Sequence, residues 1–107
     1  MNSTLKKLSE IIAEANDVFE ARHKTIGTIL GIMDQALRKQ GINADAVTVD
    51  CIPLNKKIVF LLHDDKPESV DIALGNKEGD IQFSSEYDLN ALSVATIVDI
   101  MEANFLQ

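Results

Sequence analysis

Residues 46–63 read Ala-Val-Thr-Val-Asp-Cys-Ile-Pro-Leu-Asn-Lys-Lys-Ile-Val-Phe-Leu-Leu-His. The two apolar runs of this stretch are rich in β-branched and aromatic residues, which suit a pleated surface. Pro53, Leu54 and Asn55 between them signal a turn. The reading is a strand over 46–52, a turn, and a strand over 57–63. Two more strands follow at 69–74 and 80–85. They are separated by Asp64-Asp65-Lys66-Pro67 and by Gly75-Asn76-Lys77-Glu78-Gly79. Connections this short join antiparallel neighbours, so the four strands form a meander.

The side-chain pattern fixes a register. Pairing Cys51 with Ile58, Phe60 with Ile72 and Leu74 with Ile81 gathers Val47, Val49, Cys51, Ile58, Phe60, Leu62, Val70, Ile72, Leu74, Ile81 and Phe83 on one face. A slip of one residue would mix the faces. The opposite face carries Thr48, Asp50, Val59, Leu61, His63, Ser69, Asp71, Ala73, Gln82 and Ser84. It is mostly polar, but Val59, Leu61 and Ala73 form an apolar strip through its middle.

Upstream, Leu5, Leu8, Ile12, Ala15 and Phe19 recur at helical spacing, and Ile26, Ile29, Met33 and Ala36 continue the register. One helix over 3–40 would be roughly 55 Å long at 1.5 Å per residue. That exceeds the body of a 107-residue domain, whose radius of gyration is about 13 Å. Two helices with a break near residues 22–25 are therefore preferred to one. Gly41 fits a left-handed cap, with Leu37 and Ile42 placed for the accompanying apolar contact. Downstream, Asp88 is expected to cap a helix running to about Phe105, with Val94, Ile97, Val98, Met101 and Phe105 as its stripe. The expected fold is α+β over one domain, residues 1–107. It has two N-terminal helices, a four-stranded antiparallel meander and a C-terminal helix, with all helices on one face of the sheet. In outline this looks like several helix-plus-meander folds, the double-stranded-RNA-binding domain among them. No motif ties it to a named family.

Charge bears on partners. The chain has 10 Lys and Arg against 17 Asp and Glu, a formal net charge of -7. The excess lies after residue 41, where four basic residues face twelve acidic ones. Nucleic-acid binding needs a basic stripe that displaces counterions, so it is not expected. No apolar run approaches the roughly 18 residues of a membrane span, and residues 1–20 lack the form of a signal peptide. The expected location is the cytoplasm, with no membrane partner. A single cysteine, Cys51, rules out an intrachain disulfide and a cysteine-based zinc cluster.

The chemistry-bearing candidates each have a plain reading. His63-Asp64-Asp65 suggests a metal or general-base site but suits a strand running into a solvated turn. Asp50 and Asp71 would stand roughly 10 Å apart, two strand spacings, which is wide for a carboxylate pair. The 75–80 turn lacks the ligand spacing of a calcium loop. Cys51 falls on the core face. No catalytic, metal or cofactor residue is assigned, and no nucleophile-elbow, phosphate-loop or zinc-protease motif is present. Whether the chain is an enzyme stays open, with the motifs weighing against it.

The expected function is a small acidic, non-enzymatic protein-interaction module, homodimeric, of adaptor, immunity or small-chaperone type. Its surface would be Thr48, Asp50, Val59, Leu61, His63, Asp71, Ala73 and Gln82. Gly27 and Gly31, four apart on the second helix, would allow close contact with a neighbouring element or a dimer partner. The alternative is a small-molecule binder or enzyme with a pocket between sheet and helices.

Overall fold

Asn2 opens the first helix by accepting a hydrogen bond from the Leu5 amide at 2.7 Å, and α1 then runs over Ser3–Arg22. The computed structural model describes residues 2–106. Leu5, Leu8, Ile12, Ala15 and Phe19 are wholly buried, as their spacing requires. The sheet has five strands in the order β1-β2-β3-β4-β5, all neighbours antiparallel. The strands are β1 (Ile29–Met33), β2 (Ala44–Cys51), β3 (Lys56–His63), β4 (Ser69–Gly75) and β5 (Ile81–Asp88). A single turn of helix, α2 (Ala36–Lys39), precedes β2, and α3 (Val94–Phe105) closes the chain's order of elements. The α+β class and the antiparallel sheet agree with the sequence reading.

The second N-terminal helix is the main correction. Ile29–Met33 of it is β1, and only Ala36–Lys39 is helical. Apolar spacing over 26–36 fits a helix, but composition does not. Thr25, Ile26, Thr28, Ile29 and Ile32 are β-branched and are interspersed with Gly27 and Gly31. Each interior glycine costs a helix about 1 kcal/mol relative to alanine. The extra β1 makes five strands of the expected four. Gly41 does take the left-handed conformation (φ 86°), and the Ile42 amide donates to the Leu37 carbonyl at 2.9 Å. It therefore caps the single turn of α2.

The register differs from expectation in two places. Phe60 pairs with Ile72 as expected, but Ile58 pairs with Val49 and Leu74 with Phe83. The first shift is two residues, which keeps every side chain of β2 and β3 on its expected face. It follows from a tighter turn. A 3-10 turn over Ile52–Leu54 and a left-handed Asn55 (φ 51°) bring Cys51 opposite Lys56. Between β4 and β5 the register slips at Leu74/Gly75, so Gly75 pairs with Ile81 and Gln82 lies between two paired residues. This bulge carries Ile81 to the outer face, away from the core face expected for it.

α1 and α3 pack on each other, α1 on β2 and α3 on β3. Phe19 meets Phe105 edge-to-face, ring centroids 5.8 Å apart. The core beneath them gathers Val47, Val49, Cys51, Ile58, Phe60, Val70 and Ile72. Phe83 was expected in that core and lies on its face, yet it is 56% exposed. The helix layer sits on the central strands and does not cover it. α3 starts later than expected. Asp88 caps a 3-10 turn over Leu89–Ala91, and Ser93 caps α3 through the Thr96 amide at 3.2 Å.

A polar clasp also joins the two long helices. His23 Nε2 lies 2.8 Å from Glu102 Oε2, and Arg22 Nη1 lies 3.6 Å from the same oxygen. The hydrogen bond with His23, aided by the charge of Arg22, holds the Glu102 carboxyl below its ordinary value of 4.5. A carboxyl whose native pKa lies below its unfolded pKa stabilises the fold above the unfolded value. That stabilisation is lost as pH falls through the native value. Glu102→Gln is therefore expected to be less stable than the parent at pH 7, and the difference should close on acidification below about pH 4.5. Thermal unfolding of both proteins between pH 3 and 7 reads this directly. Curves that stay equally separated across the range would contradict the assignment.

Candidate functional site

The sheet face turned away from α1 and α3 holds the expected surface. Its cross-strand rows follow from the register. Gly31, Thr48, Val59, Ala73 and Ser84 make one row, and Met33, Ala46, Leu61, Asp71 and Glu86 the next. A third row runs Ile29, Asp50, Lys57, Gly75 and Ile81. Such rows are the units of side-chain contact on a sheet. The first two rows have small or apolar residues at their centres; the second ends in Asp71 and Glu86, and the third carries Asp50 and Lys57.

These rows form the floor of a trough of about 230 Å³. Ala46, Thr48, Val59, Leu61 and Ala73 line its base, with Lys57 beside them. Met33 of β1 and Leu37 of α2 make one wall, and Gly75, Asn76, Gly79, Asp80 and Ile81 of the β4–β5 hairpin make the other. Thr48, Ala46 and Ala73 are buried although neither α1 nor α3 covers this face; only the single turn of α2 stands beside it, so not all helices lie on the core face as expected. The walls shield them.

Local chemistry explains why the walls stand where they do. A side chain at Gly75 would run into the Asp80 carbonyl, so the hairpin closes only over glycine there. Gly79 completes the turn at φ 90°, a conformation side chains disfavour. The Asn76 Oδ1 accepts from the Glu78 and Asp80 amides, both at 3.1 Å. Asn55 ties this hairpin to the β2–β3 turn by accepting from the Lys77 amide at 3.2 Å. On the other side, Arg38 anchors α2. Its guanidinium donates to Asp45 at 2.9 and 3.0 Å and to Asp64 at 2.8 Å. The Arg38 hydrogen bonds keep the exposed Asp64 carboxyl below its ordinary pKa.

The rim is charged, and its charges are engaged. His63 Nε2 stands 3.1 Å from Asp71 Oδ2, and Lys57 Nζ stands 3.7 Å from Asp50 Oδ1. Asp50 and Asp71 thus each face a base of their own and do not form a carboxylate pair. Lys66 reaches Glu86 at 3.1 Å, which raises the lysine's pKa. His63 with Asp71 has the arrangement of a base and its orienting carboxylate. Among the described residues, no hydroxyl or thiol is hydrogen-bonded to that histidine. Cys51 is wholly buried. Among the described residues, no three His, Cys, Asp or Glu side chains are placed to hold a metal ion. No helix among them is long and apolar enough to cross a membrane.

The structure brings together Thr48, Val59, Leu61 and Ala73 in the trough, with Asp50, His63 and Asp71 around it. Gln82 stands apart, exposed at the bulge. Gly27 lies in the α1–β1 connection with open space where a side chain would sit. Gly31 is the middle of β1, and a Cβ there would lie 2.8 Å from Thr48 Oγ1. Its close approach is to its own chain, across the sheet. Met33, Leu37 and Ile81 are trough residues that the helical reading of 26–40 and the unbulged register had placed elsewhere. The β-branched run at 25–32 and the paired glycines at 75 and 79 are the signals for them. Comparison of the chain with protein-family models, curated proteins and solved structures gave no match.

Proposed function

We propose that this protein is a non-enzymatic interaction module that takes an apolar segment of a basic partner protein into the outer-face trough. The observation that carries this reading is the trough itself. A solvated outer face presents alternating polar side chains, whereas this one has an apolar floor between two built walls. Apolar grooves of this kind accept the anchor residues of a helix or extended segment. Charge selects the partner. Twelve acidic and four basic residues follow position 41, so basic flanks on the partner are favoured.

A peptide-display selection against the immobilised protein tests this. Enriched peptides are expected to carry apolar anchors flanked by Lys or Arg. The double variant Val59→Asp, Leu61→Asp should weaken their binding at least roughly 30-fold, the effect of losing a hot spot of about 2 kcal/mol. Its circular dichroism should match the parent's, because both side chains lie outside the helix-covered core. Leu61→Gln, a milder change, should weaken binding in the same direction. No enrichment, or peptides that bind parent and variants alike, would overturn the reading.

A further inference from the structure

The sheet has two edges, and they are built differently. β5 carries the register slip at Leu74/Gly75 and two acidic residues, Glu86 and Asp88. Bulges and edge charges are the usual devices that stop strands pairing with other chains. β1 has none of them. Its residues are Ile29, Leu30, Gly31, Ile32 and Met33, with no charge and no proline. Ile29 is 59% exposed and Ile32 is 45% exposed. Apart from β2, no element packs extensively against β1. A strand paired on one side alone leaves alternate N–H and C=O groups pointing outward along its free edge.

The sequence of β1 is self-complementary about Gly31. In an antiparallel pair centred there, Ile29 faces Met33 of the second copy, Leu30 faces Ile32, and glycine faces glycine. Every cross-strand pair is apolar on both faces, the kind that stabilises a ladder. One residue further out, Asp34 falls opposite the uncharged Thr28, so no like charges meet. Each copy carries a net charge of -7, and the uncharged edge is a place where two copies approach without opposed carboxylates.

From this we infer that two copies of the chain join β1 to β1 around a two-fold axis, forming one continuous ten-stranded sheet. The contact is short, so the dimer is of the small, transient class and depends on concentration. The two troughs lie on the same side of the joined sheet, each with its Met33 wall toward the axis. This pairing does not rest on what the trough binds.

Sedimentation equilibrium of the full chain, over protein concentrations from micromolar to millimolar, provides the test. The average mass is expected to rise from 11.8 kDa toward twice that value. Added salt should strengthen the dimer by screening the net charge. The double variant Ile29→Lys, Ile32→Lys places lysines on the edge at two exposed positions. It should stay at the monomer mass throughout with an unchanged circular dichroism spectrum. Hydrogen exchange at residues 29–33 should slow with concentration in the parent and not in that variant. The variant Val59→Asp, Leu61→Asp should still dimerise. A parent that is monomeric at every concentration would overturn the inference, as would a dimer that survives the edge lysines. Dimerisation lost only with the trough changes would place the interface on the sheet face instead.

Discussion

Replacing Phe60 with alanine is expected to lower the unfolding free energy by about 3–5 kcal/mol. Phe60 is wholly buried in the central strand, paired with Val47 on one side and Ile72 on the other. It lies on the face beneath α1 and α3, so truncation opens a cavity where sheet and helices meet. The cost has two parts, the lost transfer of the ring from water and the unfilled space. A chain of 107 residues has a total stability of roughly 5–16 kcal/mol at ordinary per-residue values. The change therefore removes a large share of it, equivalent to a fall of roughly 15–30 °C in Tm. Urea unfolding followed by circular dichroism measures it. A loss under about 1 kcal/mol would mean that Phe60 is not the centre of the core.

The second large effect is expected from Arg38→Met. Asp45 is 3% exposed, and its carboxylate receives two hydrogen bonds from Arg38 and one from Asn2 at 3.0 Å. Methionine keeps the length of the arginine stem but none of its donors. Leaving a buried carboxylate without its cation is strongly destabilising, and here Asp45 bears that cost. The same change releases α2 from the sheet and with it the Leu37 wall of the trough. Adding Asp45→Asn to Arg38→Met should restore most of the lost stability, since the buried group is then neutral. Asp64→Asn alone should cost little, because Asp64 sits in solvent. A denaturation series on the four proteins separates these outcomes. If Arg38→Met and Asp64→Asn unfold at the same denaturant concentration, the buried carboxylate does not govern the effect.

Much of the sheet was legible because alternation is a local property. Val47, Val49, Ile58 and Phe60 point one way, and Thr48, Val59 and Leu61 the other, whatever the exact register. An even shift of two residues leaves those faces unchanged, which is why the outer face was identified from an inexact pairing. α1 was legible for a similar reason, with five buried residues at regular helical spacing. The misread parts depend on events that spacing does not encode. Ile29 and Met33 fall at helical intervals, yet β-branching and glycine content decide their backbone, and the partner strand β2 lies further along the chain. Ile81 was placed on the core by strict alternation, and one slipped residue reversed it. Asp88 is a competent cap, but it caps a 3-10 turn, and Ser93 takes the expected role five residues later. Only the walls of the trough are a product of these misread parts. Its floor came from alternation, and its walls came from β1, α2 and the bulge.

The pairing of α1 with α3 constrains how the chain is made. The first and last helices close over the same strands, and Phe19 rests against Phe105. During synthesis β1 to β5 emerge from the ribosome before residues 94–105 do. Until then one side of the nascent sheet is roofed by a single helix. Domains fold as units once their parts are out of the exit tunnel, and exposed sheet invites misassembly in the interval. α3 is thus the half of the lid made after the sheet, and any delay in translating those twelve residues prolongs the period in which the half-roofed sheet is sticky.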